Sequence, residues 1–145
     1  GAVNHIPSVG FSLLDFSQDA DFESSAPFVR KIIGDVLQEG LPDGVCLNVN
    51  IPAVKSSELQ GVRVCRQASG YWQEEFEARK DPGGREYFWL TGSFFNREEK
   101  AEDTDEWALR NNYISVVPVK VDLTDYETLS RLKKWETNAI GNEQK

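Results

Sequence analysis

Apolar positions along the chain fall into runs with different periods. Ser8, Val9, Gly10, Phe11, Ser12, Leu13 and Leu14 form a short run behind Pro7, and Val45 to Ile51 forms a second that Pro52 stops. Apolar runs of this length between breakers predict buried strands. Between them Phe28, Val29, Ile32, Ile33, Val36 and Leu37 recur at helical spacing and share one stripe. Ser24 and Ser25 offer capping oxygens, Pro27 suits a first turn, and Gly40 suits the position just past the end. Strand, helix, strand is a βαβ unit, which predicts a parallel pair. Parallel strands are buried on both faces and belong to larger sheets. A doubly wound sheet is therefore expected here to be entered in mid-course, with part of it lying outside this chain.

After residue 60 the pattern alternates. Val62 and Val64 are set against Arg63 and Arg66. Residues 71–79 and 86–95 flank Asp81-Pro82-Gly83-Gly84, a strong turn signal, and predict a long antiparallel hairpin. Trp72, Phe76, Tyr87, Phe88 and Trp89 are many large side chains for two strands, which marks them as candidate oligomer contacts; the other reading is that they pack on the chain's own core. Thr104-Asp105 caps a short helix through Trp107. Residues 113–121 predict a strand in which Pro118 marks an edge or a bulge. Thr124 to Glu127 reads as a capping box opening a helix through Leu129, Leu132 and Trp135. Residues 136–145 read as a polar tail.

The chain has 145 residues, enough for one domain, with 39% hydrophobic and 28% charged residues. A formal net charge of −8 disfavours nucleic-acid partners. No stretch has the length of a membrane span, and two cysteines, Cys46 and Cys65, in apolar runs suit free thiols, so a cytoplasmic location is expected. Catalytic chemistry is hard to find. His5 is the only histidine, which excludes a His-rich metal site. The chain has no phosphate-cradling glycine loop and no Gly-x-Ser-x-Gly elbow. The acidic clusters at 19–23 and 102–106 lack the spacing calcium needs and read as solvated loops. Asn48 and Asn50 stand out because they alternate on one face of an apolar strand, near the end where α/β sheets place ligands. They either tie strand end to loop or line a site, and are the substrate-proximal candidates.

Six stretches, in order, resemble the SurE family of survival-protein nucleotidases: His5 to Ser12, Leu47 to Pro52, Gly61 to Val64 with Arg66, Asp81 to Leu90, Thr104 to Ala108, and Asn112 to Pro118 with Leu123-Thr124. Each alone is weak; together they span nearly the whole chain. The resemblance implies a SurE-like α/β fold: a partial Rossmann-like parallel sheet, then a long antiparallel hairpin and a C-terminal helix. It divides the chain into the βαβ end of a sheet (1–60), a hairpin and oligomerisation region (61–122), a C-terminal helix (123–135) and a tail (136–145).

The resemblance also implies a parent enzyme, a 5′/3′-nucleotidase hydrolysing nucleoside monophosphates with one divalent metal, magnesium or manganese. The family holds that metal on an Asp-Asp pair, and this sequence has no Asp-Asp dipeptide. The expectation is therefore a C-terminal half that contributes no catalytic residue, binds no metal and is inactive alone. Its expected contribution is scaffold and contacts for a homodimer or homotetramer. The alternative is a non-catalytic module acting only through strand-exchanged oligomerisation.

Overall fold

The structure is a computed structural model that describes residues 1–136. Its elements run β1 (Ser8–Leu13), α1 (Ala26–Glu39), β2 (Val45–Ile51), β3 (Gly61–Val64), β4 (Gly70–Lys80), β5 (Glu86–Asn96), α2 (Asp105–Arg110), β6 (Tyr113–Lys120) and α3 (Tyr126–Leu132). The mixed α/β class, the βαβ unit and the hairpin agree with the expectation. The tail lies outside the described residues apart from Glu136.

Four strands form the main sheet in the order β1-β2-β6-β3. β1 and β2 are parallel, with Phe11 opposite Val49. β6 then lies antiparallel to β2, with Val116 opposite Val49, and β3 runs parallel to β6. The sheet thus draws β3 and β6 from either side of the hairpin in sequence. Strand alternation sends Val49, Ile51, Ile114 and Val116 to one face, where Ile32 of α1 closes over them. Val49 and Ile114 are completely buried. Only half of the apolar stripe of α1 reaches this core: Phe28, Val29 and Ile32 pack on it, while Ile33 and Leu37 are exposed. On the other face α2 sets Ala108 against Cys65 and Val117.

Two local expectations need correction, and a third holds only locally. Neither Ser24 nor Ser25 caps α1. A 3₁₀ turn, Glu23–Ser25, leads into the helix, and the Ser25 hydroxyl donates back to the Phe22 carbonyl at 2.8 Å. Ser25 is already in helical backbone geometry, so its oxygen cannot reach forward. For α3 the cap is Asp125, not Thr124: its carboxylate accepts from the Thr128 N–H at 3.1 Å and from the Thr128 hydroxyl at 2.7 Å, so the helix starts one residue later than the Thr124–Glu127 box places it. Pro118 sits in an inner strand. The Val116 carbonyl accepts from Cys65 on the β3 side, so the nitrogen of Pro118, two residues on, faces the same side beyond the end of β3. A local edge accommodates the missing donor.

The hairpin β4–β5 is a separate two-stranded sheet with eleven residues in each strand. Its turn is tied by Asp81, whose carboxylate accepts from the Arg85 N–H at 2.9 Å. Gly84 supplies the left-handed conformation there with φ of 80°.

Candidate functional site

The C-terminal ends of β1 and β2 open into a cleft of about 320 Å³ between the loop after β1 and the loop after β2. Leu13 and Val54 give it apolar walls, and Asp15, Asp21, Lys55 and Glu58 give it charge. The Ser17 N–H, 2.9 Å from Asp15, holds that carboxyl below its ordinary range. Asp21 accepts from the Glu23 N–H at 2.8 Å. These carboxylates shape their own loops. Among the described residues no group of three or more His, Cys, Asp or Glu side chains is arranged to hold a metal ion.

Asn48 and Asn50 lie on the sheet face opposite α1 and do not line this cleft. Asn48 is exposed and Asn50 half-buried. Register places Asn50 between Ser12 on β1 and Ser115 on β6, and Ser115 opposite Arg63 on β3. A polar row therefore crosses all four strands. Ser115 is completely buried, and its hydroxyl has no hydrogen-bond partner among the described residues. At the end of the row the Arg63 guanidinium lies 5.0 Å from the ring centres of both Trp107 and Tyr113, which stack on each other at 6.1 Å. Sequence reasoning singled out only the Asn pair, because the rest of the row exists only once β6 has inserted beside β2. His5 does find a partner, with Nδ1 2.6 Å from an Asp43 carboxylate oxygen.

The root of the hairpin is densely hydrogen-bonded. Arg66 bonds Glu98 through two nitrogens, both at 2.9 Å, and Asp103 through two at 2.8 and 3.1 Å. Glu98 also accepts from the Ser69 N–H at 2.6 Å. These bonds push Glu98 down to about 2 from its ordinary 4.5, with Arg66 the main cause. Asp103 is lowered for the same reason. Thr104 is completely buried; its hydroxyl accepts from the Trp107 N–H at 3.2 Å and donates to the Ala101 carbonyl. Beyond this root the five hairpin residues marked from sequence, Trp72, Phe76, Tyr87, Phe88 and Trp89, are all exposed.

The family model described as Survival protein SurE matches residues 1–74. The chain belongs to the SurE family. It is 52% identical over 136 residues to a protein named 5′-nucleotidase SurE from Flavobacterium psychrophilum, covering 94% of this chain and 52% of that relative. The protein of the same name from Chlorobium chlorochromatii is 41% identical, covering 94% and 49%. A SurE crystal structure from Aquifex aeolicus superposes with a TM-score of 0.69 at 34% identity, covering 94% of this chain and 54% of that one. The chain thus spans about half the length of the curated SurE relatives it matches. No helix among the described residues is long and apolar enough to cross a membrane.

Proposed function

We propose that this chain is the C-terminal portion of a metal-dependent 5′/3′-nucleotidase acting on nucleoside monophosphates, and that it supplies scaffold and homo-oligomer contacts. Its 52% identity to a protein named 5′-nucleotidase SurE carries the reading. The sequence has no Asp-Asp dipeptide, and this reading puts the Mg²⁺ or Mn²⁺ ligands in the length of the relatives that this chain does not span. The cleft at the ends of β1 and β2 lies where α/β sheets receive ligands; Asn50 does not line it, and as the substrate-proximal candidate it acts from the opposite face, through the polar row that crosses the sheet at the same strand ends.

The test is phosphate release from a 5′-nucleoside monophosphate with Mg²⁺ or Mn²⁺. The 145-residue chain alone is expected to release none. Co-expressed with the N-terminal half of the Flavobacterium psychrophilum relative, it is expected to restore turnover, and Asn50→Ala in that complex to raise KM more than it lowers kcat. Turnover by the chain alone would overturn the assignment. A second reading, a non-catalytic module acting through strand-exchanged oligomerisation, is favoured by the free hairpin edges; failure of every complementation while the chain still associates would select it.

A further inference from the structure

The sheet face opposite α1 carries a polar row with more donors than acceptors. In it Ser115 lies between Asn50 on β2 and Arg63 on β3. α2 covers part of this face, setting Ala108 on Cys65 and Val117, but Asn50 is only half-buried and Arg63 is exposed. The Ser115 hydroxyl forms the floor, completely buried and without a partner among the described residues. A buried hydroxyl left this way destabilises the fold unless something takes its proton.

Arg63 is held differently from the arginines that pair with carboxylates. Arg66, Arg79 and Arg85 each come within 3.5 Å of a carboxylate oxygen. Arg63 pairs with no carboxylate among the described residues and sits 5.0 Å from the ring centres of both Trp107 and Tyr113. Aromatic rings fix a guanidinium without using its N–H fork, which stays free for an oxyanion. The acids of this region are already engaged: Asp103 accepts from Arg66 at 2.8 Å, and Asp105 from the Ala68 N–H at 2.8 Å. Continuing the β2–β6 register sets Tyr113 level with Pro52, so the guanidinium leans towards the edge where β1 and β2 end, the edge at which α/β sheets receive ligands.

We infer that Arg63 and Asn50 bind a phosphate-type oxyanion on this face, with Ser115 as the positioning residue beneath them. The fork of Arg63 takes two oxygens. The Asn50 carbonyl oxygen accepts from the Ser115 hydroxyl, which turns the Asn50 NH₂ group towards a third oxygen. A tetrahedral phosphate offers that third oxygen, and a carboxylate does not. The net charge of −8 repels anions from the rest of the surface. A sheet extended from the β1 edge leaves Arg63 three strands, about 14 Å, from the added part. The site is therefore built within this chain and does not depend on the nucleotidase reading.

The test is ¹H–¹⁵N NMR of the 145-residue chain during titration with inorganic phosphate at constant ionic strength. The Arg63 Nε–H and Asn50 NH₂ signals are expected to shift saturably, with a Kd of about 1 mM. Arg63→Gln is expected to weaken binding at least about tenfold, and Arg63→Lys, which keeps the charge but loses the fork, at least about threefold. Arg79→Gln leaves it within about twofold. Ser115→Ala weakens it about threefold and Ser115→Thr, which keeps the hydroxyl, restores it, a rescue that a packing role alone would not give. Should Arg63→Gln unfold by circular dichroism, Asn50→Asp sets a like charge beside the anion and is expected to cost at least about tenfold. Shifts that have not saturated at about 20 mM, or that spread evenly over the exposed lysines and arginines, overturn the site. Acetate binding as tightly as phosphate overturns the three-oxygen geometry. Phosphate binding that disappears when the chain is assembled with the N-terminal half of the Flavobacterium psychrophilum relative means that a protein carboxylate takes this place, and also overturns the inference. Binding without restored turnover in that assembly counts against the nucleotidase reading alone; turnover without binding counts against this inference alone.

Discussion

The main sheet and the hairpin use similar residues to opposite ends. In the sheet, branched side chains at alternate positions meet α1, and Val49 and Ile114 lose all contact with solvent. In the hairpin, strands nearly twice as long as β1 carry Trp, Phe and Tyr at comparable density, yet no residue of β4 or β5 is buried. Alternation is present in both; a second layer is present in only one. A two-stranded ribbon is marginal in water by itself. Its order here comes from cross-strand pairs such as Tyr71 stacked on Phe95 at 5.4 Å, and from the ion network at its root.

The sharpest break of this contrast is a matched pair of truncations. Ile114→Ala is expected to lower unfolding free energy by about 2–5 kcal/mol in urea, since it opens a cavity in a closed core. Phe88→Ala in dilute protein is expected to change it by less than about 0.5 kcal/mol, as for any solvated side chain. Equal effects would mean that the hairpin is folded into the same cooperative unit. Smaller, Thr104→Ala is expected to cost about 1–2 kcal/mol, because a helix cap is lost at a buried position, while hydrogen exchange at the hairpin root accelerates.

The smallest effect is the most local. Glu98 titrates at about 2 instead of 4.5, so its contribution to order at the root is complete above its ordinary value. It is lost as pH falls from about 4.5 through about 2. Carboxyl carbon NMR is expected to show that midpoint, and Arg66→Ala to return it towards the ordinary value. An unchanged midpoint would remove Arg66 as the cause.

Much of this was readable from spacing. The β1–α1–β2 unit and the Asp81 turn announce themselves because their signals are local: prolines at strand ends, a 3.6 period, and a turn of Asp, Pro and Gly. The place of β6 was not, since nothing within residues 113–120 says that the strand inserts antiparallel between β2 and β3. For that reason Pro118 read as a sheet edge, and the polar row from Ser12 to Arg63 was invisible. Asn48 and Asn50 were found by alternation alone. Their surroundings depend on which strand lies next to them, which is tertiary information. The caps at Ser25 and Thr124 failed by a residue or less of backbone geometry, the scale at which sequence has least to say.

The open edges of the hairpin also govern solubility. Each strand leaves one full row of main-chain donors and acceptors unpaired, a template for indefinite strand addition. Glu74, Glu75 and Glu77 stand along β4 as like charges that repel any strand approaching in register. Salt that screens them removes that protection, so strand-to-strand association is expected to rise with ionic strength before the core unfolds.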